Sequence, residues 1–90
     1  MNIPNEFKLK IGGLIYEVRQ VLGLADSGNQ DDSNLVILLN KGLKQEQKES
    51  TLLHEIIEAI NSANDLGLTH QTIQTLEASL YQVLKDNDFI

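Results

Sequence analysis

Four side chains in the second half of the chain have the types and spacing for metal chemistry. His54, Glu55 and Glu58 stand in the run His54-Glu55-Ile56-Ile57-Glu58, and Glu77 follows nineteen residues after Glu58. On a helix, positions four apart share a face one turn from each other, so His54 and Glu58 can hold one ion between them. Glu55 points about 100° away around the axis. From there it can reach water activated by such an ion and act as general base. At the same angular step Glu77 falls on one side with Ile73, Leu80 and Leu84. A carboxylate among apolar neighbours needs a counter-charge, because an unpaired buried charge costs several kcal/mol or is neutralised. A cation shared with His54 and Glu58 supplies one. The predicted metal ligands are therefore His54, Glu58 and Glu77, with Glu55 catalytic. The competing reading is a polar helix face with His54, Glu58 and Asn61 in solvent.

The elements that must position these groups are legible in outline. From about residue 44 the apolar pattern is helical, with Leu52, Leu53, Ile56, Ile57 and Ile60 recurring at spacings of one, three and four. Gly67 suits a helix stop. Thr69 suits the cap of a second helix whose stripe is Ile73, Leu76, Leu80, Val83 and Leu84. The tail 86–90 is expected to fray. Upstream, residues 8–11 and 14–21 read as two strands joined at Gly12-Gly13, with Tyr16, Val18 and Leu14 facing inward at period 2. Residues 23–34 read as a polar, mobile loop, and 35–39 as a third, buried strand before the turn at Asn40-Lys41-Gly42. The order strand, strand, strand, helix, helix predicts an α+β fold. A small three-stranded sheet, the N-terminal hairpin plus one strand, packs on two C-terminal helices in one domain, 1–90.

Composition narrows the function. The chain has 90 residues, 41% of them apolar and only 4% aromatic, so its core is built from Leu, Ile and Val. With no cysteine there is no disulfide, thiolate nucleophile or thiolate ligand, which fits a reducing, cytoplasmic setting. The net charge of −6 is uneven: +1 over residues 1–24, −2 over 25–50 and −5 over 51–90. A basic stripe for phosphates is absent, which argues against nucleic acid as partner. No apolar run approaches the ~20 residues of a membrane span, and residues 1–10 lack the apolar segment of a leader. Three further features read as structural. His70 is expected as a surface histidine at a helix start, or alternatively as a polar group steadying an oxyanion. Tyr81 is expected half-buried with a wet hydroxyl. The acidic stretch 26–32 lacks the spacing and closing Glu of an EF-hand and reads as solvated loop.

The pattern His-Glu-x-x-Glu followed by Glu77 resembles that of the gluzincin zinc metallopeptidases, whose motif is His-Glu-x-x-His on one helix and a third ligand, Glu, on the next. Three segments are similar to small phage- and prophage-encoded metallopeptidase-like proteins: Ile11-Gly12-Gly13-Leu14-Ile15-Tyr16-Glu17-Val18, Lys48-Glu49-Ser50-Thr51-Leu52-Leu53-His54-Glu55-Ile56-Ile57 and Leu76-Glu77-Ala78-Ser79-Leu80-Tyr81-Gln82-Val83-Leu84. The resemblance spans roughly residues 7–85 and implies a minimal zincin scaffold. It implies zinc, with His54 as first ligand, Glu55 as general base and Glu77 as third ligand. Glu58 stands in the place of the second histidine. One histidine with two carboxylates is a harder and more anionic set, suited also to manganese or iron, and it makes bound water a weaker acid. Two functions follow. One is a metal-dependent peptidase, with the peptide extended along an edge strand. The other is a catalytically inactive zincin-like acidic protein that binds or inhibits a host protein in the bacterial host cytosol. An unpaired sheet edge also allows a homodimer besides a monomer.

Overall fold

Gly12 and Gly13, at φ of 58° and 79°, form the tight turn that their sequence predicts. They join β1 (Glu6–Ile11) to β2 (Leu14–Val21) as an antiparallel hairpin in which Leu9 faces Tyr16 and Phe7 faces Val18. The computed structural model describes residues 1–90. Tyr16 and Val18 are buried as expected, but Leu14, of the same parity, is 44% exposed. It lies at the turn, where the sheet runs out past Ala63 in the last turn of the first helix.

The sheet has four strands, not three. Residues 23–34, read from composition as a mobile loop, contain β3 (Gly28–Asp31), and the last strand is β4 (Val36–Asn40). The spatial order is β1-β2-β4-β3, with β2 and β4 parallel and β3 antiparallel to β4. Gly-Asn-Gln-Asp carries no apolar alternation. It is a strand because β4 offers it an unpaired edge, a tertiary reason that outweighs local propensity. Asp31 ends it: its Oδ1 accepts from the backbone N–H groups of Ser33 and Asn34 at 2.9 and 3.2 Å. Leu35 then takes a left-handed φ of 54°, which excludes it from the strand predicted to begin there.

Helix α1 (Gln45–Asn64) lies across the sheet and α2 (His70–Asp86) packs on α1 but on no strand. Ile37 and Leu39 of β4, Val18 and Tyr16 of β2, and Leu52 and Ala59 of α1 meet in the core. The fold is α+β, as the element order predicts. Residues 86–90 do not fray: the N–H groups of Phe89 and Ile90 donate to the Leu84 carbonyl at 2.8 and 3.3 Å. Neither helix is long and apolar enough to cross a membrane.

Candidate metal centre

The connection between the helices determines what can meet. Asp65 ends α1 in a left-handed conformation, its N–H donating back to the carbonyls of Asn61 and Ser62. Gly67, expected as the stop, supplies a second positive φ two residues later. The side-chain oxygen of Asn61 accepts from the Leu68 N–H at 2.9 Å, and Thr69 caps α2 by accepting from the Thr72 N–H at 3.1 Å. This short, pinned turn sets His70, the first residue of α2, beside the middle of α1.

His54, Glu58 and His70 converge there. His54 Nε2 lies 3.5 Å from Glu58 Oε1, and His70 Nδ1 lies 3.9 Å from that same oxygen. One donor atom from each of the three falls within 4.8 Å of the others, and the two rings stand edge to face at 5.5 Å. His54 and Glu58 are half-buried between the helices, not in solvent, while His70 is 69% exposed. His70 is the surface histidine at a helix start that the sequence predicts, and its ring also lies within reach of Glu58.

Glu77 occupies the opposite side of the His54 ring. Its Oε1 is 3.4 Å from His54 Nδ1, and its Oε2 accepts from the Ser50 hydroxyl at 2.7 Å. The charge neighbour that its apolar stripe calls for is therefore an imidazole nitrogen together with a serine. An ion on Nε2 beside Glu58 sits away from Glu77, because the two ring nitrogens point in different directions. Glu77 is therefore not part of the group of donors that come within 4.8 Å of one another, which is His54, Glu58 and His70.

Glu55 is 7% exposed and has neither a hydrogen bond nor an ion pair. Burial, and then the charge of Glu58, push its carboxyl up to about 7. It lines a cleft of about 400 Å³ together with His54, His70 and Glu77. The opposite wall is Asp26, Ser27 and Gly28, the approach to β3 and its first residue. Gly28 is needed there. A Cβ would meet Thr51 Cγ2 at 2.7 Å and the Leu38 carbonyl at 2.9 Å, and would come within 3.5 Å of Glu55 Cγ. Part of the stretch expected as solvated loop is thus cleft wall. Farther along, Asp32 accepts the Tyr16 hydroxyl at 2.6 Å.

A second carboxylate joins the helices one turn before this cleft, and its role escapes the sequence reading. Glu49 is 1% exposed. Its Oε1 accepts from the Tyr81 hydroxyl at 2.8 Å and from Lys85 Nζ at 3.3 Å, and its Oε2 from the α-amino group of Met1 at 3.0 Å and from Gln45 at 3.3 Å. Burial works to raise its pKa, but these four donors outweigh it and hold the carboxyl at about 2. Tyr81 is pushed up to about 12, by burial and by the same bond. Its hydroxyl is therefore engaged inside the protein, not wet as expected. The signal for Glu49 lay in its spacing: it precedes Leu52, Leu53 and Ile56 by three, four and seven on the buried stripe.

No protein-family model, curated protein or solved structure matches this chain.

Proposed function

We propose that the cleft is a divalent-metal centre and that the chain is a minimal metal-dependent peptidase. One observation carries this reading: donors from His54, Glu58 and His70 converge beside a buried, unpartnered Glu55. The donor set fits the ion. Two ligands ~2.0–2.1 Å from one ion at the tetrahedral angle lie about 3.3 Å apart. The separations of 3.5 and 3.9 Å need only small side-chain rotations to reach that value. Two imidazoles and one carboxylate form a less anionic set than the one histidine and two carboxylates expected from the motif, and one that zinc favours. When bound, the ion supplies Lewis acidity toward water and the scissile carbonyl.

The chain's own residues do the rest. Glu77, steadied by Ser50, stands 3.4 Å from His54 Nδ1, and a small turn of the ring would let it accept the Nδ1–H and favour the tautomer whose Nε2 is free to ligate. Glu55 takes a proton from water as the water oxygen adds to the carbonyl carbon. It passes that proton to the amide nitrogen as the C–N bond breaks. Burial in the cleft raises the Glu55 carboxyl in the metal-free chain, which favours the proton acceptance that the base role needs, and a bound cation would draw it down again and help it give the proton back. The peptide lies along β3, the edge strand. Ser27 accepts from Asn40 on the β4 side, so the alternation of an antiparallel ladder turns the N–H and C=O of Gly28 and Gln30 outward. Those groups can hold an extended peptide by strand addition.

The test uses untagged protein and zinc. Zinc is expected to raise the melting temperature. His54→Ala and His70→Ala each abolish or strongly reduce that rise, and Glu77→Gln weakens zinc affinity about 10–100-fold. Glu55→Gln keeps zinc but loses hydrolysis of a denatured protein substrate. A melting temperature indifferent to zinc sinks the metal centre; a zinc-bound chain that leaves the substrate intact, like its Glu55→Gln variant, sinks the peptidase.

A further inference from the structure

We infer that the cleft selects a basic, polar peptide segment, an assignment that rests on the peptidase reading above and names its substrate class. The cleft does not end at the metal ligands. It shares Ser27 and Thr51 with a second hollow of about 270 Å³, so the two form one trough between residues 26–28 and α1, with the first half of α2 at one end. Neither hollow is lined by an apolar side chain, a lysine or an arginine. Asp26, Glu46, Glu55 and Glu77 line it, and Glu58 stands beside it at the ligand cluster.

A row of acids on a protein of net charge −6 would by itself mean little. Glu55 gives it direction. It is buried, faces the trough and has no partner of its own. Its oxygens open onto the trough and no donor of the chain reaches them, so a ligand that brings donors or positive charge finds a free acceptor there. The apolar anchors that commonly give a peptide its affinity have no pocket here. Recognition must come from backbone pairing along β3 and from charge. A lysine or arginine side chain beside a strand-paired residue reaches Asp26 on one wall and Glu46 on the other. An acidic segment meets repulsion along the whole trough.

The experiment measures binding of three short capped peptides to the parent protein before zinc is added, with Glu55 in place and no ion to drive cleavage, at low ionic strength, where charge effects are least screened. They alternate threonine with lysine, with glutamate or with serine. Zinc-dependent melting is recorded on the same sample. The lysine peptide is expected to bind best, and the glutamate peptide not at all. Asp26→Asn with Glu46→Gln weakens the lysine peptide about tenfold. Asp86→Asn with Asp88→Asn removes the same charge far from the trough and leaves affinity within about twofold. Equal affinity for the three peptides overturns the specificity while zinc still raises the melting temperature. So does equal weakening by the two double variants, which marks mere attraction to an acidic protein. An absent zinc shift overturns the underlying metal reading instead, and the specificity with it.

Discussion

Two carboxylate clusters bridge α1 and α2, and they are opposites. At Glu49 one buried acid meets two cations, a tyrosine and a glutamine, so its acceptor capacity is spent inside the protein. At the other cluster Glu58 and Glu77 meet two histidines and one serine, Glu55 meets no donor, and no lysine or arginine stands among them. The pKa values follow: Glu49 is held at about 2 and Glu55 is pushed up to about 7. Both acids are buried on the same helix. Partners, not burial, decide which one fastens the fold and which one is left ready for a ligand.

The comparison breaks most readily at Glu49. Glu49→Ala removes the common acceptor of Tyr81, Gln45, Lys85 and the α-amino group, two of them cations that can turn to water, and costs about 2 kcal/mol. Urea denaturation is expected to show that loss, whereas Glu77→Ala costs less, since Glu77 has fewer donors. A smaller effect separates the two acids by pH. The folded pKa of Glu49 is depressed, so its stabilisation is present above its ordinary value of 4.5 and is lost as pH falls toward 2. The folded pKa of Glu55 is raised. In metal-free protein its contribution is intact below 4.5 and is lost as pH rises through about 7. Melting curves should therefore show Glu55→Gln more stable, relative to the parent chain, at pH 8 than at pH 4. The smallest effect sharpens the comparison. Ser50→Ala removes one hydrogen bond from Glu77 and costs about 1 kcal/mol or less without metal. If zinc affinity then stays at the parent value, Glu77 does not orient His54.

Much of this was readable from residue order. The hairpin at Gly12-Gly13, the cap at Thr69, the extents of both helices and the burial of Tyr16 and Val18 follow from local periodicity and turn chemistry. So does the facing of His54 and Glu58, fixed by the pitch of one helix. Of the expected α2 stripe, however, only Ile73 is buried, and Leu76, Leu80 and Val83 are exposed because α2 packs on α1 alone. What escaped depends on angles between elements. β3 has no pattern of its own and exists only against β4. The side of the His54 ring that Glu77 meets, and the arrival of His70 at Glu58, depend on a five-residue connection, 65–69, whose path no spacing rule gives. Glu49 was legible in principle, by the same reasoning that singled out Glu77.

The chain passes from β2 through β3 before it lays down β4, yet β3 ends up outermost. Peeling its four residues away disturbs only one ladder and leaves the other three strands joined. β3 is held by one ladder at its inner side and by α1 on its face, while the floor of the trough is a single twenty-residue helix. Amide exchange at the ladder-bonded Asn29 and Asp31 faster than in β2 and β4 is the trace that an outermost strand leaves.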